Sequence, residues 1–143
     1  KEELCATCHA GIKSVDDIRG ASDTTDWNGN GDVKESIRSE YNPLRDALLK
    51  QIGIYAKEKA KAAIVYDGNA YPYWFTDANN NGKHDADEPA YATWTARMLK
   101  AAYNYNFLGK ARGAAWHNPK YAMQIVIDSI ADLGGDVSNY TRP

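Results

Sequence analysis

Several patterns are scarce or missing in this 143-residue sequence, and each absence excludes a class of protein. No apolar run reaches the roughly 18 residues that a transmembrane helix needs, so no membrane span is expected. A formal net charge of -2 gives no clustered basic surface for nucleic acid. Two methionines are too few for the groove that a calcium sensor exposes. The sequence also begins without a basic-then-apolar leader, and we expect a mature chain whose export signal, if it had one, is gone.

Cysteine is equally scarce, and both cysteines lie in the sequence CATCH at residues 5–9. Two cysteines separated by two residues and followed directly by histidine are the attachment signature of a c-type haem, in which both thiols become thioethers and the histidine binds iron. We therefore predict covalent haem at Cys5 and Cys8, with His9 as an axial ligand. The alternatives are a Cys5–Cys8 disulfide or half of a zinc site. Zinc would need further ligands, and His84 and His117 stand alone rather than as a close pair.

Length and apolar periodicity predict one mainly α-helical domain over residues 1–143. Haem attachment and a first Asp/Asn-rich loop occupy residues 1–33, and a helix occupies 34–64. An extended aromatic segment and a calcium loop follow at 65–88, and two C-terminal helices at 89–135. Ten tyrosines and four tryptophans beside two phenylalanines indicate a core of aromatic side chains whose polar groups need partners.

Proline and glycine set the expected boundaries of these elements. Asn42 and Pro43 predict an interrupted or restarted helix that continues from Leu44 to about residue 63. Residues 64–75 are β-branched and aromatic around an Asp-Gly turn, which predicts a short hairpin or an extended aromatic loop. Pro89 predicts a helix over 89 to about 107, with Glu88 as its cap.

The second Asp/Asn-rich loop, at residues 77–88, matches a calcium loop at every ligand position. Such a loop places oxygen ligands at positions 1, 3, 5, 7, 9 and 12 and glycine at position 6. The corresponding residues are Asp77, Asn79, Asn81, Gly82, Lys83 (through its backbone carbonyl), Asp85 and Glu88. We predict a structural calcium ion here, and the alternative is an empty polar loop. The flanking segment is aromatic rather than helical, so a true EF-hand is not expected.

The first Asp/Asn-rich loop matches only the front half of the same pattern. Its oxygen-bearing residues are Asp26, Asn28, Asn30 and Asp32, with Gly31 at the turn. Position 12 is Ile37 instead of glutamate, so Glu35 or Asp23 would have to complete the ligand shell. A second calcium ion is one interpretation. The other is a Gly/Asn turn followed by a capping box formed by Asp32 and Glu35.

A six-coordinate haem iron needs a second axial ligand. The candidate side chains are His84, Met98, Met123 and His117. We favour His117, because Asn118 and Pro119 are a typical helix start that fixes the direction of the preceding side chain. The alternative is a histidine hydrogen-bonded at a helix entrance. His117 can also ligate the haem of a neighbouring molecule, and the sequence does not separate these arrangements.

The haem motif and several other segments together resemble the C-terminal region of exported bacterial multihaem c-type cytochromes. These segments are residues 5–9, 17–19, 26–32, 66–73, 99–105 and 117–121. The resemblance implies a small helical domain of the cytochrome c-like type, with His9 and His117 as axial ligands and calcium in the loop at 77–88. It also implies a secreted, periplasmic or extracellular location. This chain departs from the family in carrying one haem motif instead of many.

We therefore expect an exported monohaem c-type cytochrome with a bis-histidine haem and calcium as a brace. Such a protein exchanges single electrons with redox protein partners and is not an enzyme. One alternative is a structural subunit of an extracellular filament or other homo-oligomer. Another is a haem enzyme or small-ligand sensor, which would leave the distal position of the iron open.

Overall fold

The computed structural model describes residues 2–20, 22–111 and 113–143, and it is mainly α-helical as predicted. The helices are α1 (Glu2–Ala6), α2 (Ile37–Tyr55), α3 (Ala96–Lys110), α4 (Ala114–His117) and α5 (Pro119–Asp132). A 3-10 turn lies at Val15–Asp17, a π-helical turn at Ala56–Ala60, and two strands at β1 (Ile64–Tyr66) and β2 (Trp74–Thr76). Within the described ranges, no helix combines the length and the apolar character needed to cross a bilayer.

Helices α2, α3 and α5 pack around one apolar core. Leu44, Leu48 and Ile52 recur every four residues along α2, and all three are 0% exposed. Met98 of α3 and Met123 of α5 are also 0% exposed, so both thioethers fill the core. Burying each of these side chains is worth about 2 kcal/mol, which makes this helix trio the main source of stability.

Helix α2 runs through Pro43 without a break, so the predicted interruption at residues 42–43 is wrong. Proline lacks the N–H that would bond to the carbonyl four residues earlier, which belongs to Ser39. The side-chain amide of Asn28 donates to that carbonyl at 3.4 Å. A contact from the preceding loop thus offers the freed acceptor a partner, and the buried stripe that follows keeps the helix continuous.

The strands β1 and β2 form the predicted antiparallel hairpin. Val65 pairs with Phe75 at the centre of the register. Just beyond the strands, the Asp67 N–H donates to the Tyr73 carbonyl at 2.8 Å. The hairpin therefore extends up to the residues around the Asp-Gly turn.

The helix predicted over residues 89–107 begins later, at Ala96. Residues 89–91 lie beside β2 instead, where the Thr76 N–H donates to the Pro89 carbonyl at 2.9 Å. Thr95 is the N-cap, and its hydroxyl accepts a backbone N–H of the first turn. The prediction of Glu88 as the cap is therefore wrong. It failed because proline suits the edge of a sheet as well as the first turn of a helix.

A buried ion pair attaches the N-terminal segment to α2. Arg19 Nη1 lies 2.8 Å from Glu40 Oε1, and the Glu40 side chain is 0% exposed. The same guanidinium donates to the backbone carbonyls of Asp23, Thr25 and Glu35. The other Glu40 oxygen accepts the N–H groups of Trp27 and Asn28, each at 3.0 Å. This one carboxylate therefore organises the chain before α2.

Replacing Glu40 should test how much the fold depends on this pair. Glu40→Gln removes the nearer carboxylate of the buried Arg19 guanidinium and leaves it only Asp23, at 3.7 Å. The free energy of unfolding should therefore fall by about 3 kcal/mol. Asp46→Asn removes an equal charge from an exposed position of the same helix and should change stability by less than about 0.5 kcal/mol. Urea unfolding followed by circular dichroism measures both. Equal losses in the two variants would contradict this role of the pair.

Candidate haem and calcium sites

The predicted haem-attachment motif lies at the end of α1 and in the turn that follows it. The Cys5 carbonyl accepts the N–H groups of Cys8 at 3.1 Å and His9 at 2.8 Å, so one helical turn separates Cys5 from the histidine. Both cysteines are free thiols; Cys5 is half-buried and Cys8 is exposed. Free and partly accessible thiols fit the thioether bonds that covalent haem requires.

A cavity of about 400 Å³ is lined both by His9 of the motif and by residues of the distant segment around His117. His9 lines this cavity together with Ile18, Ile37, Trp116 and Pro119. Two of these residues flank His117 in the sequence. The fold thus brings the predicted proximal histidine and neighbours of His117 to one cavity, although His117 itself does not line it. The lining is mixed, with polar residues such as Asp23 and Thr25 beside the apolar ones.

His117 is the last residue of α4, and its side chain is exposed. Its N–H donates to the Gly113 carbonyl at 2.9 Å, and its ring lies over the same glycine. A Cβ atom at Gly113 would lie 2.7 Å from His117 Cδ2, so the missing side chain makes room for the imidazole. Pro119 begins α5 as expected, but the Asn118 side chain makes no capping hydrogen bond.

The other candidate axial ligands are engaged elsewhere. His84 Nδ1 lies 3.1 Å from Asp67 Oδ2, and the imidazole stacks on Phe75 with ring centroids 3.5 Å apart. The backbone N–H of Asn69 and the His84 side chain both bond to Asp67 and hold the pKa of that carboxyl below its usual value. Met98 and Met123 belong to the fully buried core. This leaves His117 as the candidate with an exposed side chain.

The loop at residues 77–88 is closed by its own predicted ligands. The side-chain amides of Asn79 and Asn81 both donate to Asp85 Oδ2 at 2.8 Å. These two bonds lower the pKa of Asp85 below its usual value, and the bond from Asn79 has the larger effect. The amide oxygens of the two asparagines accept the N–H groups of residues 81 and 83, so Lys83 contributes its N–H to the loop. The side chains at positions 3, 5 and 9 therefore meet, as a calcium loop requires.

The first and last residues of this loop are buried carboxylates. Glu88 is 8% exposed, and its two oxygens accept the N–H groups of Ala78 at 2.7 Å and Asp85 at 3.0 Å. Asp77 is 4% exposed, and one oxygen accepts the Gly82 N–H at 3.1 Å. The other, Asp77 Oδ1, is buried and has no hydrogen-bond partner among the described residues. An unsatisfied buried carboxylate oxygen is costly, and a cation would satisfy it.

Carboxylates alone do not form a metal cluster in this structure. Across residues 2–20, 22–111 and 113–143, no three His, Cys, Asp or Glu side chains gather closely enough to hold a metal ion. A cation in the loop at 77–88 would therefore also need the amide oxygens of Asn79 and Asn81. Calcium accepts such neutral oxygen ligands readily, so the donor set fits this ion.

The first Asp/Asn-rich loop repeats this arrangement with different closing residues. The side-chain amides of Asn28 and Asn30 both donate to Glu35 Oε1, at 2.6 and 2.9 Å. The two Asp26 oxygens accept three backbone N–H groups of the loop. Asp32 accepts the N–H of residue 34 at 2.8 Å. The structure therefore brings the predicted ligands together, and both Asp26 oxygens are satisfied by the backbone.

Two features of the first loop differ from the sequence interpretation. The capping residue of α2 is Ser36, so the proposed box of Asp32 and Glu35 does not start that helix. Asp23, the other residue considered for closing the loop, instead accepts the Trp27 indole N–H at 3.2 Å. Ser36 caps α2 because it directly precedes the helix, whereas Asp32 accepts the N–H of residue 34 within the loop.

Sequence reasoning missed Glu40, which closes the first loop as Glu88 closes the second. Glu40 accepts the N–H of Trp27, the second residue of its loop, and Glu88 accepts the N–H of the second residue of its own. Glu40 lies three residues beyond the position that a calcium-loop pattern specifies, so the pattern did not find it. Its charge is balanced by Arg19. The sequence did offer one signal: Glu40 follows Ile37 by three residues, which places both on the same face of a helix.

Comparison with known proteins adds evolutionary evidence. No protein-family model and no solved structure matches the chain. The C-type polyheme cytochrome OmcB of two Geobacter sulfurreducens strains is 27% identical over 151 residues, covering 94% of this chain and 17% of OmcB. The C-type polyheme cytochrome OmcC of that species is 26% identical over 151 residues, covering 94% of this chain and 16% of OmcC. The chain thus spans about a sixth of these relatives, and the similarity supports a relationship to multihaem c-type cytochromes.

Proposed function

We propose that the chain is an exported monohaem c-type cytochrome unit that carries single electrons and is not an enzyme. The observation that carries this proposal is the cavity shared by His9 and the residues on either side of His117. The similarity to polyheme cytochromes supports the same class of cofactor. A secreted, periplasmic or extracellular location and redox protein partners follow from this proposal.

In this proposal the chain holds haem c through its own side chains. Cys5 and Cys8 supply the two thioether bonds, and His9 supplies one axial nitrogen. Ile18, Ile37 and Trp116 supply the apolar part of the cavity lining. The bound haem supplies an iron that exchanges one electron between its ferric and ferrous states.

His117 supplies the second axial nitrogen in this proposal. It lies where α4 ends and α5 begins, and Gly113 leaves space for its ring. Two imidazole ligands favour a lower reduction potential than an imidazole with a thioether, and both methionines are already buried in the core. A bis-histidine haem is therefore the coordination that these side chains support best.

Removing His117 tests the coordination. His117→Ala should convert a low-spin absorption spectrum to a high-spin one and let the reduced protein bind carbon monoxide at once, because one axial position becomes free. His84→Ala should keep the low-spin spectrum, since that ring contacts Asp67 and Phe75. Gly113→Ala should give a partly high-spin spectrum by displacing the ring.

An unchanged low-spin spectrum in His117→Ala would remove this residue from the iron. Immediate binding of carbon monoxide by the unsubstituted protein would instead favour the alternative of a haem enzyme or ligand sensor with an open distal position. If His117 ligates a neighbour's haem, the low-spin fraction should fall as the protein is diluted.

We also propose that calcium binds the loop at residues 77–88 and braces it. The supporting observation is the buried Asp77 oxygen that has no partner among the described residues. The ligands in this proposal are Asp77, Asn79, Asn81, the Lys83 carbonyl, Asp85 and Glu88. Calcium in the first loop, at Asp26, Asn28, Asn30, Asp32 and Glu35, stays a prediction from the sequence.

A calcium titration tests whether the ion binds this loop and stabilises the fold. At a free calcium concentration one hundred times the Kd, the free energy of unfolding should rise by about 2.7 kcal/mol. Asp77→Asn should weaken binding at least tenfold, because it removes the charge of a buried ligand, whereas Asp87→Asn changes an exposed loop residue and should not. Calorimetric stoichiometry distinguishes one ion from two. Equal affinity in the two variants, or no calcium-dependent stabilisation, would contradict the proposal.

One surface feature favours the alternative of a structural subunit in an extracellular filament. Leu99, Tyr103 and Phe107 recur every four residues along α3 and are 51%, 67% and 44% exposed. Such a row can bury apolar area against a second copy. If it does, sedimentation velocity should show association that increases with concentration and is lost in Tyr103→Ser but not in Tyr121→Ser. A monomer at all concentrations would contradict this alternative.

A further inference from the structure

A second cavity, of about 440 Å³, lies between α2 and the segment that connects α3 to α4. Arg38, Tyr41 and Arg45 of α2 line one side, and Trp116 of α4 lines the other. Trp116 also lines the cavity that contains His9. The two cavities are therefore neighbours that share one indole ring.

Three residues that line this second cavity each have a buried polar atom without a hydrogen-bond partner among the described residues. These atoms are Tyr41 Oη, Arg45 Nε and Trp116 Nε1. The indole and guanidinium N–H groups can only donate, so a ligand that satisfies them must supply hydrogen-bond acceptors. Tyr41 is 6% exposed, and burial raises its pKa to about 12. Its phenol therefore stays protonated at neutral pH and can act as a third donor.

Among the described residues, one positive charge at the cavity has no carboxylate partner. Arg45 takes part in no ion pair within the described part of the chain, and its guanidinium lies 4.0 Å from the centre of the Tyr105 ring. Gly109 leaves room for that guanidinium, because a Cβ there would lie 2.4 Å from Arg45 Nη2. Arg38, by contrast, pairs with Asp16 at 2.8 Å. Within the described part of the chain, one unpaired guanidinium with two neutral donors suits a ligand of single negative charge.

We propose that this cavity binds a carboxylate group, whose oxygens accept from Tyr41, Arg45 and Trp116. A planar, singly charged carboxylate matches both the geometry of a guanidinium and the charge available. The carboxylate has two sources. It is either a propionate of the haem in the neighbouring cavity, which rests on the proposed function, or a small carboxylic acid taken up from solution.

Acetate is the probe for a carboxylate from solution. In the purified protein, acetate should shift the indole N–H resonance assigned by Trp116→Phe, and the shift should saturate. Tyr41→Phe removes one oxygen atom and Arg45→Gln removes the charge, so each should weaken acetate binding at least tenfold. Tyr91→Phe and Arg97→Gln are matched controls away from the cavity, and both should bind acetate as the unsubstituted protein does.

A haem propionate would give a different result. Acetate should then leave the Trp116 resonance unshifted, because the cavity is already filled. The propionate bending band in the resonance Raman spectrum should instead move in Tyr41→Phe and Arg45→Gln and stay in place in the two controls. Should Arg45→Gln fail to fold, Tyr41→Phe alone carries both parts of the experiment.

Two outcomes overturn the proposal. One is acetate binding of equal strength in the cavity variants and the controls. The other is an unshifted Trp116 resonance combined with an unchanged propionate band in both cavity variants. Mass spectrometry separates these failures from that of the proposed function: a chain without porphyrin contradicts the electron-carrier role, and the acetate titration still tests the cavity on that chain.

Discussion

The buried ion pair between Arg19 and Glu40 determines where the N-terminal segment lies on the helical core. Its carboxylate is 0% exposed and bonds to the guanidinium and to two backbone N–H groups. Ile18, the neighbour of Arg19, lines the cavity that also contains His9 and Trp116. The position of the proposed haem ligand therefore depends on a charge pair on another element. A buried pair is a sensitive anchor, because loss of either partner leaves an uncompensated charge.

The two Asp/Asn-rich loops show how their surroundings change the outcome of one local pattern. In both, two asparagine amides meet a single carboxylate, and a glutamate accepts the N–H of the second loop residue. In the first loop that glutamate is neutralised by Arg19. In the second, Asp77 retains a buried oxygen with no donor among the described residues. The first loop is thus attached to α2 by a glutamate whose charge Arg19 neutralises, and the second is the better candidate for a cation.

Local patterns predicted the features that depend on local interactions. The apolar spacing along α2 and the β-branched run of the hairpin indicated those elements correctly. The failures depended on distant contacts: Pro43 stays inside a helix because α2 is held by core packing, and α3 starts late because Pro89 is bonded to β2. Glu40 was missed because a motif of fixed length does not include a side chain that contacts the loop from the next helix. The cavity at Tyr41 and Trp116 had no sequence signal, since α2 and α4 meet only in the fold.

The central claim is that a porphyrin is covalently attached at the N-terminal segment and lies in the cavity lined by His9. The most direct measurement is the intact mass of the denatured protein after expression with an export signal and the cellular haem-attachment machinery. The account predicts the polypeptide mass plus that of one haem, with the added mass located on the peptide that contains Cys5 and Cys8. The mass of the bare polypeptide, obtained under conditions that load a known c-type cytochrome, would contradict it.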